Sequence, residues 1–345
     1  MAITRIGNPA IADQRGINFR NILINGDMSI AQRGTSATGL GAGDNGYHTC
    51  DRWKFFESAS PTYEFTQTQD SDVPTGQGFA YSLKMDCTTA DASLASTDLL
   101  RIFQSIEGQN LQYLKYGTAN AQSLTASFWV KSNVTGDYNT HLYASNTTIR
   151  IITSTFTINS ANTWEKKTIT FAGDTAQTIL NDNQARFIFT ITLLAGTDYT
   201  STDGTSWGTY SDSKIAYGQT ANVASSTSNY INITGVQLEA GQVASDFEFL
   251  PYDVNLLRCQ RYCYAWAAYG TGNQNDNRQY SAMYGSTGSF IRIHYPTQMR
   301  VEPSITHTAG NGALSTDYSN VSNLQFFDSD DNAWYIYDVL ADAEL

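Results

Sequence analysis

The chain has 345 residues and a net charge of −12 at pH 7; 41% of the residues are hydrophobic, 12% aromatic and only 15% charged. A chain with this many aromatic residues can build a core, which excludes extended disorder, and its acidic balance without a basic cluster argues against nucleic acid as a partner. No apolar run approaches the ~18–20 residues of a membrane-spanning helix, so membrane insertion is not expected.

Residues 1–20 show no clear period and contain Gly, Pro and Asn, so an extended arm is predicted. The segment lacks the basic flank and apolar run of a secretory signal, and folding in a reduced compartment is expected. Termini of this kind are often mobile unless they dock onto something. The arm is therefore either a frayed end or an anchor into a larger assembly.

From residue 21 to 249 the pattern predicts β-strands. In Arg186–Leu194, the apolar face carries Phe187, Phe189, Ile191 and Leu193. The other face carries Ile188, Thr190 and Thr192. Such period-2 runs, bounded by Gly, Asn and Asp, predict strands of a sandwich or jelly roll. Gly235 interrupts one run and predicts a bulge or a close backbone approach. The other runs are Leu124–Val130, Ile149–Ile158, Thr168–Phe171 and Tyr230–Ala240.

One short helix is predicted at Asp253–Arg261, because Pro251 precedes it and Asp253 can cap it. The segment 268–289 is rich in Gly, Asn and Tyr and predicts loops or a hairpin, after which strands return. The clearest of these later strands are Phe290–Tyr295 and Trp334–Val339.

The predicted fold is all-β: an N-terminal extended arm (1–20), a jelly-roll-like β-sandwich (21–250) and, after the short linking helix, a smaller C-terminal β domain (251–345).

The cysteines and acidic residues give weak metal signals. Cys259 and Cys263 would share a helix face, but without a second such pair or a nearby His a zinc site is weakly supported. All four cysteines, Cys50 and Cys87 included, are better interpreted as buried free thiols. A calcium site at Asp328, Asp330 and Asp331 is the alternative to a solvated acidic turn, which is favoured. No metal or cofactor is predicted.

Three segments together resemble the distal receptor-binding part of tailed-bacteriophage tail fibres and related minor tail proteins. The resemblance covers most of residues 21–306. The segments are Asn21–Ser36 (NILINGDMSIAQRGTS) followed by Asp51-Arg52-Trp53, then Gly235–Tyr252 (GVQLEAGQVASDFEFLPY) running on into Cys259-Gln260-Arg261-Tyr262, and finally Tyr295–Thr306 (YPTQMRVEPSIT).

The resemblance implies a carbohydrate-binding-module-like sandwich, a smaller tip domain that contacts the host, a homotrimer and a structural role in the virion. Residues 1–20 would then attach the chain to other phage tail proteins. The chain departs from a typical fibre because it is short and has no coiled-coil or triple-β shaft. The expectation under this resemblance is therefore either a stubby fibre or a decoration protein built on the same module.

The motif residues have structural interpretations. Trp53 is either a platform on which a sugar stacks or a core aromatic, and the core is favoured because large aromatic side chains are usually buried. Asp51 and Arg52 are expected to pair locally or to hold a turn. Arg261 is expected to form an ion pair at a domain or subunit boundary.

Glycan contact is expected from loops that display aromatic and amide side chains, because an aromatic face packs on a sugar ring and amides bind its hydroxyls. Two loop regions fit, 198–210 and 269–284, and the second is the stronger candidate because it lies in the presumed tip. The alternative for each residue is a solvated loop or a trimer contact. The candidates are Trp207 and Tyr210 in the first region, and Tyr269, Asn273, Asn275, Asp276, Tyr280 and Tyr284 in the second.

Catalysis is not expected. The sequence has no GxSxG elbow, Cys–His pair or phosphate loop, although a pair of carboxylates for glycoside hydrolysis is compatible with 32 acidic residues. The expectation is a tail fibre of the virion that binds a host cell-surface glycan or lipopolysaccharide without transforming it. The alternatives are a polysaccharide depolymerase of a tail appendage and a purely structural tail or decoration protein.

Overall fold

The structure of the chain is a computed structural model that describes residues 19–58, 61–267, 279–280, 282–283, 289–310, 315–328 and 335–345. Nearly all of the regular structure is β, which confirms the predicted all-β fold. The predicted arm (1–20) lies outside these residues except for its last two, as does most of the predicted loop region at 268–289.

Two antiparallel sheets form the sandwich. In chain order its strands are β1 (Ser36–Leu40), β2 (Gly46–Tyr47), β3 (Lys54–Ser58), β4 (Glu64–Asp70), β5 (Ser82–Thr89), β6 (Leu99–Glu107), β7 (Leu124–Ser132), β8 (Gly136–Ser145), β9 (Ile149–Ile158), β10 (Glu165–Phe171), β11 (Ala185–Ala195), β12 (Gly208–Thr209) and β13 (Tyr230–Ala240). One sheet has the order β1-β4-β5-β13-β7-β10, and the other has the order β12-β9-β8-β11-β6-β3-β2.

The core lies between these two sheets, because each contributes alternate apolar residues to one buried cluster. The rings of Phe128 on β7 and Phe156 on β9, one from each sheet, meet edge to face with centroids 5.0 Å apart. The predicted alternation in β11 is confirmed, since Phe187, Phe189 and Ile191 are fully buried in this cluster. Trp53 is also buried in it, and its Nε1 donates to the Asn25 carbonyl at 2.9 Å, so the core interpretation is confirmed.

Shorter elements connect the strands. They are the helix α1 (Thr197–Thr200) and single 3₁₀ turns at Gly108–Asn110, Gln112–Leu114, Asp212–Lys214 and Val223–Ser225. The four cysteines are buried free thiols, as predicted.

The helix after the sandwich, α2 (Tyr252–Gln260), confirms the predicted linking helix but corrects two details. The residue that caps it is Pro251, and no side chain accepts a hydrogen bond there, so Asp253 is an acidic residue of the first turn rather than the cap. Cys263 begins a strand and does not share the helix with Cys259.

The C-terminal part contains two four-stranded sheets with a separate small core around Leu324 and Phe326. Its first sheet pairs the last strand with three others, and its second sheet contains the other four strands. Its strands are β14 (Cys263–Ala267), β15 (Gln279–Tyr280), β16 (Ala282–Met283), β17 (Ser289–His294), β18 (Ser304–Gly310), β19 (Ser315–Ser319), β20 (Asn323–Asp328) and β21 (Tyr335–Asp342).

Buried ion pairs join the C-terminal part to the sandwich. Arg261 donates through Nε and Nη2 to the two carboxylate oxygens of Glu107, at 2.8 Å each, which confirms the predicted boundary pair. Arg52 does not pair locally as expected; its Nη1 binds Glu344, and its Nη2 donates to the Ser105 carbonyl. Arg52 is fully buried, and a buried guanidinium is stable only beside a carboxylate. The C-terminal segment supplies that carboxylate, so Arg52 points inward towards it.

Candidate functional site

The outer face of the seven-stranded sheet carries two adjacent rows of polar and aromatic residues. Directly paired residues in an antiparallel sheet share a face, and so do residues two apart on one strand. The first row runs through Phe56, Arg101, Thr192, Asn139 and Thr155. The second runs through Lys54, Phe103, Thr190, His141 and Thr153.

The chain between β11 and β13 folds back over one end of these rows. Asn139 Nδ2 donates to the Tyr217 carbonyl at 3.0 Å, and the Thr153 amide donates to the Gly204 carbonyl at 2.8 Å. Ile215 and Ala216 pack into a small apolar cluster with Leu99 and other residues of the sheet. The outward-facing threonines of β11, which the sequence pattern placed on the non-core face, are therefore covered by chain.

Many polar atoms under this cover have no partner. Of the fourteen buried side-chain polar atoms without a hydrogen bond in the described part of the chain, six lie in the two rows. Each such atom costs about 1–3 kcal/mol when it is left unpaired, and native proteins keep them few. Five of the six lie on side chains that are at most 2% exposed, so a ligand on the surface does not reach them, and only Arg101 is partly exposed. The six are Arg101 Nε, Asn139 Oδ1, His141 Nδ1, Thr153 Oγ1, Thr190 Oγ1 and Thr192 Oγ1.

His141 is neutral in this environment. Burial lowers the pKa of its imidazole well below the usual value, and the charge of Arg101 lowers it further, whereas a hydrogen bond with the Ile215 backbone acts in the opposite direction. A neutral imidazole keeps one nitrogen as an acceptor. The unpaired Nδ1 is buried with the rest of the side chain, which is only 1% exposed, so it is not a contact for a surface ligand.

Aromatic rings surround the guanidinium of Arg101. Its Cζ lies 4.3 Å from the ring centroid of Phe56 and 5.3 Å from that of Phe103. None of the ion pairs in the described part of the chain includes Arg101. We name this group the Arg101 cradle; its members are Phe56, Arg101, Phe103, Tyr143, Tyr199 and Tyr210.

Three tyrosines complete the Arg101 cradle. Tyr143 and Tyr210 meet edge to face with centroids 5.5 Å apart, and the Tyr210 hydroxyl donates to Asp212 Oδ1 at 2.5 Å. Burial lowers the pKa of the Arg101 guanidinium, and the three tyrosines and Asp212 counteract part of this shift through charge. Arg101 and the tyrosines are half-buried, so the cradle reaches solvent. It combines flat apolar faces with a donor group that has no carboxylate partner.

The candidates predicted from sequence fall into three groups. Tyr210 belongs to the Arg101 cradle, whereas Trp207 lies elsewhere, with its Nε1 donating to the Ala172 carbonyl at 2.6 Å and its ring against Tyr116 and Phe187. The backbone of Tyr280 lies in β15 and pairs with the last strand. The other candidates lie outside the described residues and stay predictions: Tyr269, Asn273, Asn275, Asp276 and Tyr284.

Sequence reasoning missed Phe56, Arg101, Phe103 and Tyr143. A usable signal was Arg101 at an outward position within the apolar first half of β6, Leu99–Phe103. Its neighbours on the face come from other strands, however, and only the register places them together.

The described ranges offer neither a metal cluster nor a membrane-spanning helix. These residues contain no group of three or more His, Cys, Asp or Glu side chains placed to hold a metal ion. Two residues of the predicted acidic turn, Asp330 and Asp331, lie outside those ranges, so the calcium alternative stays untested there, and Asp328 ends β20. No helix among the described residues is long and apolar enough to cross a membrane.

Comparisons with known proteins gave weak structural similarities. No family model matches the chain. No curated protein matches it either. One similar solved structure is the enzymatically active domain of tailspike protein 4 of bacteriophage CBA120, with a TM-score of 0.33 and 11% identity over 64% of this chain, and the match spans 21% of that structure.

Two further similar structures are a putative sugar binding protein and a carbohydrate-binding module. One is a putative sugar binding protein from Bacteroides thetaiotaomicron, with a TM-score of 0.32, 9% identity, and 64% of this chain and 99% of that one covered. The other is the family 11 carbohydrate-binding module of a Clostridium thermocellum cellulosomal cellulase, with a TM-score of 0.29, 9% identity, and 60% and 97% covered. Similarities at these TM-scores do not assign a function to this chain.

Proposed function

We propose that this protein binds a carbohydrate through the Arg101 cradle without transforming it. The observation that carries the proposal is a partly exposed arginine between aromatic rings, with no carboxylate partner among the described residues. The rings can pack on the apolar face of a sugar, and the guanidinium can donate to its hydroxyl or carboxylate oxygens.

The finer proposal is that the protein is a tail fibre of a tailed-bacteriophage virion. It is supported by the three sequence segments that resemble such fibres, at Asn21–Ser36, Gly235–Tyr252 and Tyr295–Thr306. The ligand is then a host cell-surface glycan or lipopolysaccharide. The chain assembles as a homotrimer and attaches to other tail proteins through residues 1–20.

Binding to purified surface polysaccharides and lipopolysaccharides tests the site. The wild-type chain is expected to be retained in native affinity gels by at least one of them. Arg101→Ala should weaken this binding about tenfold or more, because a hydrogen bond to a charged group contributes about 1.5–3 kcal/mol. Phe56→Ala should weaken it through loss of the stacking surface. Arg292→Ala, which changes an exposed arginine on β17, is the matched control and should bind like the wild type.

The outcomes separate the three functions. Equal binding by Arg101→Ala and the wild type would remove the cradle from the proposal. Release of reducing ends from the bound polysaccharide would replace binding by depolymerase activity. Failure to bind host cells or any purified glycan would favour a purely structural tail or decoration protein. The mass in solution tests the assembly, since a strict monomer contradicts the homotrimer.

A further inference from the structure

A cavity of about 340 Å³ lies where the sandwich meets α2. We name it the junction cavity. Ile24 and Ile106 supply part of an apolar wall, and Arg52, Arg258 and Arg261 bring three guanidinium groups to the same space. Small-ligand pockets typically hold about 300–1,000 Å³. The junction cavity is therefore large enough for one sugar residue but not for a long chain.

The positive charges of the junction cavity are incompletely neutralised. Arg52 is paired with Glu344, and Arg261 is paired with Glu107. Arg258 joins none of the ion pairs in the described ranges, and its Nη2 makes one long hydrogen bond, 3.4 Å, to the Asn21 carbonyl. Glu248 interacts with Arg258 by charge without forming an ion pair, so among the described residues Arg258 is the guanidinium of the three that has no close carboxylate partner.

Two further observations point to a ligand. The side chain of Arg52 is only 1% exposed, and its Nε has no hydrogen-bond partner among the described residues. At the rim, the rings of Phe19 and Tyr113 are 59% and 52% exposed, which is high for aromatic side chains. Donors inside and aromatic faces at the rim suit a ligand that is both anionic and ring-shaped.

We propose that the junction cavity binds an acidic monosaccharide unit, with its carboxylate beside Arg258 and its ring against Tyr113. A carboxylate supplies the missing negative charge and accepts the planar donors of a guanidinium. The junction cavity shares no residue with the Arg101 cradle, so binding at each site can be tested independently of the other.

The test uses the full-length protein and D-galacturonate as the probe. Galacturonate is expected to raise the melting temperature and to give a saturable isotherm in titration calorimetry, whereas galactose, which lacks the carboxylate, should do neither. Arg258→Gln should weaken binding about tenfold or more, consistent with loss of a charged hydrogen bond. Arg258→Lys keeps the charge and should retain part of the affinity, and Arg292→Gln should bind like the wild type.

Several results would overturn the proposal. Acetate that stabilises the protein as strongly as galacturonate at equal concentration would mean that charge alone is recognised. Binding that survives Arg258→Gln but is lost in Arg101→Ala would place the acid in the Arg101 cradle instead. Absence of binding to the wild type, with variants that melt like it in the unliganded state, would leave the cavity without this ligand.

Discussion

Asp51 illustrates how burial sets the charge of a single group. The carboxylate is fully buried, and it accepts hydrogen bonds from the Gln32 amide at 2.8 Å and from Gln32 Nε2 at 2.5 Å. Burial raises the pKa of Asp51 to about 6, although Arg33 and Gln32 oppose the shift. The folded protein therefore holds a proton on Asp51 in a pH range in which the unfolded chain has lost it.

The sign of the resulting pH dependence follows from this shift. Because the folded pKa lies above the ordinary value of about 3.8, the contribution of Asp51 to stability is greatest below that value and is lost as the pH rises towards 6. In Asp51→Asn this contribution is absent. We expect the difference in unfolding free energy between wild type and Asp51→Asn to change by about 2 kcal/mol between pH 4 and 7.

Urea unfolding followed at several pH values measures this difference. Comparison with the variant is needed because Glu107 and Glu165, whose pKa values are lowered, give slopes of opposite sign at lower pH. The control is Asp246→Asn, which changes an exposed carboxylate and should leave the profile parallel to that of the wild type. A wild-type profile parallel to that of Asp51→Asn would contradict the assignment.

At the scale of elements, the bulge in β13 depends on one glycine. The register of β13 against β7 shifts between Thr234 and Gln237, which confirms the predicted bulge, and Gly235 has φ +62°. A Cβ at this position would lie 2.5 Å from the ring of Phe79, which itself packs against two further aromatic rings. A left-handed backbone and a close approach thus coincide at Gly235.

We expect Gly235→Ala to destabilise the sandwich by about 2–4 kcal/mol, combining backbone strain with overpacking against Phe79. The matched control is Gly43→Ala, since Gly43 also has positive φ but has no atom within 4 Å of its ideal Cβ. This variant should cost only about 1 kcal/mol, from the backbone alone. Chemical denaturation of both variants gives the comparison, and equal losses would show that the ring contact contributes nothing.

The sequence predicted strands well because the period-2 pattern is local. β9 and β13 have the predicted bounds, and the buried face of β11 is the one that its pattern indicated. What the pattern could not show is that Thr190 and Thr192, on the opposite face, are buried as well. The residues that cover them follow β11 in the chain. The hydrophobic pattern within β11 cannot show that a later segment folds back over it.

Candidate sites were predicted less well than strands. Tyr210 was found because aromatic and acidic residues cluster around it in sequence, whereas Arg101 reaches its partners only through strand pairing. The same limit applies to Arg52 and Glu344, which are 292 residues apart in the chain. Side chains that meet through topology leave no local signal.

At the scale of the whole molecule, Glu344 holds the C-terminal part against the sandwich. It pairs with Arg33 and with Arg52, and the three side chains are 5%, 6% and 1% exposed. The neighbouring backbone is held as well, because Arg300 donates to the carbonyls of Ala343 and Glu344 at 2.9 and 2.8 Å. Stability of the sandwich and of the C-terminal sheets should therefore be coupled through this contact.

Glu344→Gln should uncouple them, because removing one partner of a buried ion pair leaves uncompensated charge and costs about 3–5 kcal/mol. In native-state hydrogen exchange, the amides of β14 and of β21 near Asp342 should lose protection before those of β6 do. Asp182→Asn removes a partly exposed pair with Arg186 near the surface and should change protection little, since pairs that water reaches contribute about 0–1 kcal/mol. Equal loss of protection in β6 and β21 would contradict this prediction. It would mean that the sandwich and the C-terminal sheets still unfold as one unit, so that their docking does not depend on Glu344.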